Sequence, residues 1–353
     1  MSPDPTLTVA VVGLGYWGPN LLRVLGEHLD ITIGWLCDLD DERLKRFGAR
    51  HPGAALTTSF EDVLRDDDVE AILIATPVFS HYELAAASLR AGKHTFVEKP
   101  LAQTVALADE LIALSHEHER VLMCGHTFIY SPPVRAVKQL LDSGELGQIF
   151  FLSSSRVNLG LHQRDVSVVW DLAPHDFSIF TYWLGETPSS IHGVGRDSIV
   201  TGIADVAFLT LTFPSGILAN VELSWLAPSK LRRTVVVGSE RMLIYEDGGP
   251  EPLRIYDHGV VYQDPETFGQ YHLAYRTGAI VSPKLDSYEP LAAELEDFVR
   301  AARSGTSLVE NLALARDVVR VTEAAARSLT VDGGVVLEER PRSGSEDRED
   351  PVR

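Results

Sequence analysis

Residues 7–18 of the chain read LTVAVVGLGYWG. Its first part, from Leu7 to Gly13, is nearly all apolar with several β-branched residues, which predicts a strand buried on both faces. The glycines Gly13, Gly15 and Gly18 then fit G-x-G-x-x-G, and a helical stretch follows over about residues 17–28. A strand, this glycine turn and a helix in that order indicate a dinucleotide-binding βαβ unit.

Each glycine has a separate role in such a turn. Gly13 permits the tight bend, Gly15 lets a pyrophosphate approach the backbone, and Gly18 lets the helix pack close to the strand. The helix N-terminus offers free N–H groups and a positive dipole end to the phosphates. Tyr16 and Trp17, which stand inside the turn, join the three glycines as cofactor-binding candidates.

Asp38 lies 20 residues beyond Gly18, at the end of a second predicted strand over residues 31–38. A carboxylate there accepts both ribose hydroxyls and repels a 2′-phosphate, so the position favours NAD over NADP. The alternative is that Asp38 is only a turn residue at the end of a strand. The sequence contains no G-x-x-x-x-G-K-[ST] motif, so a P-loop nucleotide site is not supported.

Length and charge narrow the class of protein. The chain has 353 residues, enough for about two domains, and a formal net charge of −19. The acidic balance argues against nucleic acid or an anionic membrane as a partner. We find no signal peptide and no apolar run of about 18 residues, and therefore expect no membrane association. With only Cys37 and Cys124, we expect a reduced, cytoplasmic protein.

The pattern of strands and helices changes near residue 125. Before it, strands alternate with helices, which predicts a parallel sheet with right-handed crossovers. After it come mostly strands, including a hairpin of residues 204–213 and 217–225, and two late helices over 290–302 and 312–329. We therefore predict an α/β protein: a Rossmann domain with a doubly wound parallel sheet, then an α+β domain with a large open, mostly antiparallel sheet. The predicted bounds are 1–124, 125–342 and a disordered tail, 343–353.

Three further motifs carry a family resemblance: TPVFSH at residues 76–81, AGKHTFVEKPLA at residues 91–102, and Asp171-x-x-x-His175. With them the chain resembles the Gfo/Idh/MocA oxidoreductases over roughly residues 7–330. The stretches GYWGPNLLR at residues 15–23, SRVNLG at 155–160 and WDLAPHD at 170–176 resemble the bacterial sugar-nucleotide branch of that family. The resemblance implies a Rossmann domain, a C-terminal domain with a large open sheet, and oligomers built through sheet faces. It also implies a sugar, sugar nucleotide or cyclitol as substrate.

Glu98-Lys99-Pro100 follows the fourth predicted strand, at the edge of the sheet where α/β proteins bind ligands. Lys99 is the candidate acid/base for a carbinol, with a pKa lowered by desolvation and a cationic cofactor ring. Glu98 opposes part of that shift and serves geometry; both residues are also cofactor-binding candidates. The alternative is an ordinary surface lysine after a strand.

Asp171 and His175 are four residues apart on a predicted helix over 172–184, so they share one face and complete the catalytic set with Lys99. The resemblance implies that His175 contacts the reacting carbinol and that Asp171 contacts substrate and lysine. The alternative for Asp171 is a helix N-cap. We expect Asp176 to point away from His175 into solvent.

The remaining candidates surround this set. The resemblance places Thr76, Pro77 and His81 near the nicotinamide ribose and phosphates, although His81 is equally a helix N-terminal histidine without a ligand. The substrate candidates are His126, Tyr130, Arg156, Asn158, Arg164 and Asp165. An arginine pair here either clamps a carboxylate or pyrophosphate or forms ordinary surface salt bridges. No metal-binding spacing occurs in the sequence, and we predict no metal.

Together these features predict an NAD-dependent dehydrogenase that oxidises a secondary hydroxyl of a pyranose sugar, sugar nucleotide, aminoglycoside-type sugar or cyclitol. Two alternatives stay open: an NADPH-dependent keto-sugar reductase, and a non-catalytic protein that binds NAD and a partner. Apolar residues on both faces of residues 204–225 predict that another subunit covers one face, in a homodimer or homotetramer built through the C-terminal sheet.

Overall fold

The computed structural model describes residues 6–160, 166–263, 272–331 and 334–337 of the chain. The described residues form two sheets, one of six strands and one of nine. They confirm the predicted fold class, with a parallel sheet first and a mostly antiparallel sheet second. The predicted tail, residues 343–353, lies outside the described residues.

The first sheet is parallel, with its strands in the order β3-β2-β1-β4-β5-β6. The strand order reverses between β1 and β4, and ligands bind open α/β sheets at such a switch point. Its strands are β1 (Leu7–Val12), β2 (Ile31–Cys37), β3 (Ala55–Thr57), β4 (Ala71–Ile74), β5 (His94–Glu98) and β6 (Leu122–Gly125). Every residue of β4 and β6 is buried, as expected for a sheet covered on both faces.

The helices of this half begin where the sequence offers caps. Asp40 accepts hydrogen bonds from two backbone N–H groups at the start of α2, and the Thr104 side chain accepts one from the backbone N–H of Leu107 at the start of α5. The helices are α1 (Gly18–Glu27), α2 (Asp41–Gly48), α3 (Phe60–Arg65), α4 (His81–Arg90) and α5 (Val105–Glu117).

The second sheet has the order β14-β13-β12-β11-β7-β10-β9-β8-β15. Only the pair β7 and β10 runs parallel among its described pairings, so the predicted hairpin of β9 and β10 docks against β7 by a crossover. The strands are β7 (Ile149–Leu159), β8 (Ser190–Arg196), β9 (Val206–Thr212), β10 (Leu218–Ser224), β11 (Leu226–Gly238), β12 (Met242–Glu246), β13 (Leu253–Gln263), β14 (His272–Val281) and β15 (Val335–Val336). The helices α6 (Pro132–Asp142) and α7 (Val168–Leu184) belong to this half.

Two late helices, α8 (Pro290–Ser304) and α9 (Val309–Ser328), return to the first half. In α8, Leu295 and Phe298 are buried in the Rossmann core, where the ring of Phe298 meets Phe96 of β5 edge-on at 5.7 Å between centroids. In α9, Val319 packs into the Rossmann core while Val318 packs into the core of the second sheet. These helices therefore bind the two sheets together.

One face of the second sheet is covered by α7 and α9, and the other exposes large apolar side chains. Phe151 and Leu218 stand side by side on β7 and β10 with 44% and 49% of their surface exposed. Phe208 and Val194 form a second such pair on β9 and β8 at 52% and 57% exposed. A surface of this kind is typical of a contact with another protein chain.

Several boundaries differ from the sequence prediction. Helix α7 begins at Val168, four residues early, because Ser167 already has the extended backbone of an N-cap. Residues 253–263 form one strand, β13, in which a register shift accommodates Asp257. The prediction missed β3, β8, β14 and β15, since short or polar strands carry little periodicity.

Candidate active site

The glycine turn after β1 leaves room for a ligand at one of its three glycines. A Cβ at Gly13, whose φ is +90°, would lie 2.7 Å from the carbonyl oxygen of Ala75, and one at Gly18 would lie 2.0 Å from that of Gly13. A Cβ at Gly15 would meet only Arg43 Nη1, at 3.7 Å. Gly13 and Gly18 therefore hold the turn together, while the backbone at Gly15 is open to a pyrophosphate.

Asp38 stands beside this turn, directly after β2, and is 8% exposed. Its Oδ2 accepts a hydrogen bond from the backbone N–H of Leu14 at 2.5 Å, and its Oδ1 accepts one from that of Asp40 at 2.9 Å. Arg43 Nη1 lies 3.6 Å from Oδ2. The carboxylate thus fixes the glycine turn and has acceptor sites left for a ribose.

His81 is almost fully buried and joins two loops at the carboxyl edge of the sheet. Its Nδ1 lies 2.8 Å from the carbonyl oxygen of Pro100, and its Nε2 lies 2.8 Å from that of Thr76. Burial lowers the pKa of His81, and the neutral ring donates to one of these carbonyls. Its contacts are therefore with the loops that carry Thr76-Pro77 and Lys99-Pro100.

The rim of this edge also carries exposed apolar side chains, of which the sequence analysis singled out only Tyr16. Leu39 follows Asp38 and is 90% exposed, and Phe79 follows Pro77 and is 58% exposed. Tyr16 in the glycine turn is 85% exposed. Side chains of this kind are suited to cover the flat rings of a dinucleotide.

Lys99 extends from the end of β5 across to α7. Its Nζ donates a hydrogen bond to the carbonyl oxygen of Asp171 at 2.8 Å and lies 3.8 Å from the Asp171 carboxylate. Burial lowers the pKa of the Lys99 amine, Arg156 adds to that effect, and the carboxylates of Asp171 and Glu98 oppose it. The structure thus brings Lys99 and Asp171 together.

Asp171 lies in the first turn of α7, and the structure corrects the alternative of an N-cap role. The N-cap position is Ser167, because the helix starts four residues earlier than the apolar pattern predicts. The Asp171 carboxylate instead accepts a hydrogen bond from the indole N–H of Trp225 at 3.0 Å. This bond holds the carboxylate in the space beside Lys99.

His175 lies one helical turn further along the same face of α7. Its ring meets Phe128 edge-on at 4.9 Å between centroids. Burial lowers the pKa of His175 well below the usual value, and the charges of Lys99 and Arg156 add to this effect. His175 is therefore a neutral imidazole beside the amine of Lys99.

The expectation that Asp176 is solvated is wrong. Asp176 is 1% exposed, and its carboxylate accepts hydrogen bonds from Arg156 Nε at 2.7 Å and Nη2 at 3.2 Å. Ser154 Oγ donates a third at 2.8 Å. The reason is that α7 packs on the second sheet, so the side chain that points away from His175 enters the sheet, where it meets Ser154 and Arg156, and does not enter the solvent.

Arg156 has a second contact, with the ring of Phe128, whose centroid lies 4.8 Å from the guanidinium carbon. Arg232 of β11 approaches the same ring at 5.6 Å and pairs with Asp247 at 2.7 Å. The sequence analysis missed Phe128 and Arg232. Arg156 on β7 and Arg232 on β11 face each other across the two paired strands. The register of the strands, which the sequence does not show, brings them together.

The other substrate candidates take different positions. His126 is 2% exposed, and burial next to Lys99 lowers its pKa to about 3. Tyr130 is 7% exposed beneath the guanidinium of Arg135, and burial raises its pKa. Asn158 Oδ1 is buried with no hydrogen-bond partner among the described residues. Arg164 and Asp165 lie outside the described residues.

The site fits a nicotinamide dinucleotide on two observations. The backbone at Gly15 is open, as described above. In addition, the described residues leave the buried indole N–H of Trp17, Oε1 of Glu98 and both ring nitrogens of His126 without hydrogen-bond partners. Polar atoms of this kind are expected where a ligand or water completes the site.

No three His, Cys, Asp or Glu side chains of the described residues are grouped so as to hold a metal ion. Both cysteines, Cys37 and Cys124, are buried free thiols in strands or at their ends. None of the described helices is both long and apolar enough to cross a membrane.

A doubly wound sheet with this glycine turn, and an amine, a carboxylate and an imidazole grouped beyond it, define an NAD-dependent oxidoreductase. Comparison with protein families agrees. The Gfo/Idh/MocA model, an oxidoreductase family with an NAD-binding Rossmann fold, matches residues 7–126, and the model of the Gfo/Idh/MocA C-terminal domain matches residues 134–244. The chain belongs to the Gfo/Idh/MocA family, and its cofactor is NAD.

Individual relatives are distant. The chain is 29% identical over 235 residues to the UDP-N-acetylglucosamine 3-dehydrogenase of Acidithiobacillus ferrooxidans, across 66% of this chain and 70% of that protein. It is 27% identical over 225 residues to inositol 2-dehydrogenase 2 of Saccharopolyspora erythraea, across 62% and 66%. The crystal structure of GenD2 from gentamicin A biosynthesis, in complex with NAD, shares the fold with a TM-score of 0.81 at 23% identity, across 96% and 98% of the two chains.

Proposed function

We propose that the protein oxidises a secondary hydroxyl of a sugar, sugar nucleotide or cyclitol, with Lys99 as the base. The observation that carries this proposal is the grouping of Lys99 with Asp171, which it contacts, and with His175, whose pKa it affects, at the switch-point edge of an NAD-binding sheet. Relatives named as dehydrogenases of inositol and of UDP-N-acetylglucosamine support a polyhydroxylated ring as substrate.

The proposed chemistry requires a neutral amine at Lys99. Burial favours the neutral form, and an amine that donates one N–H to the carbonyl oxygen of Asp171 keeps its lone pair free to accept a proton. His175, as a neutral imidazole, donates a hydrogen bond to the same substrate oxygen and so fixes its position. NAD, when bound, would supply the hydride acceptor, C4 of its nicotinamide ring.

Asp171 positions Lys99 and does not itself accept the proton. Its carbonyl oxygen receives an N–H of Lys99, and its carboxylate is held by Trp225. Thr76, Pro77 and Glu98 complete the cofactor side of the site, while Asp38 favours NAD over NADP. Arg156 and Arg232 supply positive charge on the substrate side, beside Phe128.

We further propose that the protein works in the cytoplasm as a homodimer or homotetramer, joined through the exposed face of the second sheet that carries Phe151, Leu218, Phe208 and Val194. Residues 1–124 and 125–342 remain the proposed domain bounds. Size-exclusion chromatography with light scattering tests the assembly, and a monomer at micromolar concentration would contradict it.

The experiment that tests the function follows NADH absorbance with a panel of inositols, hexoses, aminoglycosides, uronates and nucleotide sugars. Wild type is compared with Lys99→Met and with the control Lys138→Met, which changes a lysine paired with Asp142 on the surface. Removing a positioned base is expected to lower kcat by about 100-fold or more. The proposal is wrong if Lys99→Met and Lys138→Met turn over equally fast.

A further inference from the structure

A buried cluster of ionisable groups lies near Lys99, and the proposed reaction assigns a role only to its member Glu98, on the cofactor side of the site. Glu98, His126 and Glu294 are 8%, 2% and 0% exposed. Within the described part of the chain, one carboxyl oxygen of each glutamate and both ring nitrogens of the histidine have no hydrogen-bond partner. They come from β5, from the segment after β6, and from α8.

Glu294 belongs to a helix that is remote in sequence but docks on this edge of the sheet. The hydroxyl of Thr127 donates a hydrogen bond to its Oε2 at 2.6 Å, which leaves Oε1 without a partner among the described residues. Because α8 packs in the Rossmann core, Glu294 lies beneath the segment that carries His126. Glu98, His126 and Glu294 are all buried, so an ionised carboxylate without a partner among them would be costly.

Glu98 is the link between this cluster and Lys99. Glu98 pairs with Gly125 across the sheet, and a Cβ at Gly125 would lie 3.3 Å from Glu98 Oε1, so the carboxyl group lies over that glycine. The indole N–H of Trp17 lowers the pKa of Glu98 by favouring its charged form, although the two groups are not aligned for a full hydrogen bond among the described residues. Glu98 therefore directly precedes Lys99 in the chain and lies against Gly125, the residue before His126.

Both glutamates hold protons more tightly than usual. Burial raises the pKa of Glu98 to about 8, against the opposing charge of Lys99. Burial also raises the pKa of Glu294 well above its usual value, and the negative charges of Glu98 and Asp297 add to this effect. Two carboxyl groups that interact in this way share protons and titrate as a pair.

The line of carboxyl groups continues to the surface. Asp297 follows Glu294 by three residues on α8, and its side chain is 30% exposed and paired with Arg300. The charged and titratable groups near Glu294 from the elements packed against it are Glu98, Lys99, Cys124, His126, Tyr130 and Asp297. Of these groups, Asp297 has a substantially exposed carboxylate, and its negative charge acts on Glu294.

We propose that Glu294, together with Glu98, is a proton relay that returns Lys99 to its neutral form after each turnover by passing the product proton toward Asp297. This inference rests on the proposed function, since that reaction releases one proton into a buried site. Glu294 acts through Lys99 and is therefore a positioning residue, not a catalytic one.

The proton balance is closed without any redox partner. The substrate O–H bond breaks as an N–H bond forms on Lys99. That N–H bond then breaks as an O–H bond forms in the Glu98–Glu294 pair, with His126 or water as the bridge. An O–H bond of the pair breaks in turn, and the proton passes by Asp297 to solvent.

Infrared spectroscopy tests the shared proton without any substrate. At neutral pH, surface carboxylates are ionised, so a carbonyl stretch of a protonated carboxyl group reports a buried acid. We expect this band in wild type and in the control Glu296→Gln, an exposed neighbour on α8 that pairs with His28. We expect its loss or reduction in Glu294→Gln, where the amide still accepts from Thr127. A wild type without the band overturns the relay.

Kinetics then test the transfer itself. In Glu294→Gln, kcat is expected to fall by about tenfold, less than the ~100-fold or more for Lys99→Met, with KM unchanged. The solvent deuterium isotope effect on kcat should grow and the effect of deuterium at the carbinol carbon should shrink, since proton release becomes limiting. Glu294→Asp and small weak acids in the buffer should restore part of the rate.

The outcomes separate the two proposals. If wild type turns over and Glu294→Gln keeps its kcat and both isotope effects, the relay is wrong and the proposed function stands. If wild type reduces no NAD with any polyol, the proposed function fails, and the relay fails with it. Should Glu294→Gln not fold, Asp297→Asn at the surface end must show the same change in isotope effects, or the relay is wrong.

Discussion

Replacing Asp176 by Ala is expected to lower the free energy of unfolding by about 3–5 kcal/mol. The carboxylate of Asp176 accepts three hydrogen bonds, at 2.7 and 3.2 Å from Arg156 and at 2.8 Å from Ser154. The substitution removes all three and leaves the guanidinium of Arg156, which is 4% exposed, without its counter-charge. The cost is therefore that of a buried unpaired cation and not that of one lost contact.

Two comparisons make the magnitude specific. The double variant Arg156→Met, Asp176→Leu removes both charges and is expected to lose much less stability than Asp176→Ala, because apolar groups replace a buried pair at little cost. Asp142→Ala removes a carboxylate that is 59% exposed and paired with Lys138. This loss should lower the free energy of unfolding by about 1 kcal/mol or less.

Urea unfolding followed by tryptophan fluorescence gives the three free energies, provided that the slope with urea is unchanged between variants. If Asp176→Ala costs no more than Asp142→Ala, the carboxylate of Asp176 is hydrated and the buried pair is wrong. If the double variant is as unstable as the single one, the loss comes from packing and not from an unpaired charge.

Three further predictions concern the site. In the pH profile, kcat/KM should rise as Lys99 loses its proton, at a pH below the pKa of an ordinary lysine. Asp171→Asn removes a charge that favours the ammonium form of Lys99, so the rise should move to lower pH. A move to higher pH would contradict the assignment. Calorimetric unfolding and NAD titration should show different effects of alanine at two glycines. Gly18→Ala, whose Cβ would lie 2.0 Å from a backbone carbonyl oxygen, should lose about 1–3 kcal/mol of unfolding free energy. Gly15→Ala should keep its stability but bind NAD weakly. In steady-state kinetics, Asp38→Ser should raise the ratio of NADP to NAD activity by about tenfold, roughly 1.4 kcal/mol, and an unchanged ratio would remove Asp38 from cofactor choice.

Features encoded in one short stretch of sequence could be predicted. The glycine turn, Asp38 and Lys99 each follow an apolar strand, and the carboxyl ends of parallel strands meet at one edge of the sheet. Asp171 and His175 share a helix face by their spacing alone. These positions required only local periodicity and the rule that parallel sheets bind ligands at that edge.

Features that depend on tertiary register could not be predicted. The pairing of Arg156 with Asp176 requires α7 to pack on the second sheet, and the approach of Arg232 requires the register of β11 on β7. Glu294 lies 196 positions after Glu98 in the chain, and only the return of α8 to the Rossmann core brings it near. Nothing in the local pattern of these residues distinguishes a buried charge from a solvated one.

The central claim is that Lys99 accepts the proton of a carbinol whose hydride goes to NAD. The most direct measurement uses a polyol substrate with deuterium on the reacting carbon and follows the label into the nicotinamide ring by mass spectrometry. Wild type is expected to give deuterated NADH, and Lys99→Met to give it about 100-fold or more slowly while it still binds NAD. Unlabelled NADH from wild type, or equal labelling rates in both proteins, would contradict the account.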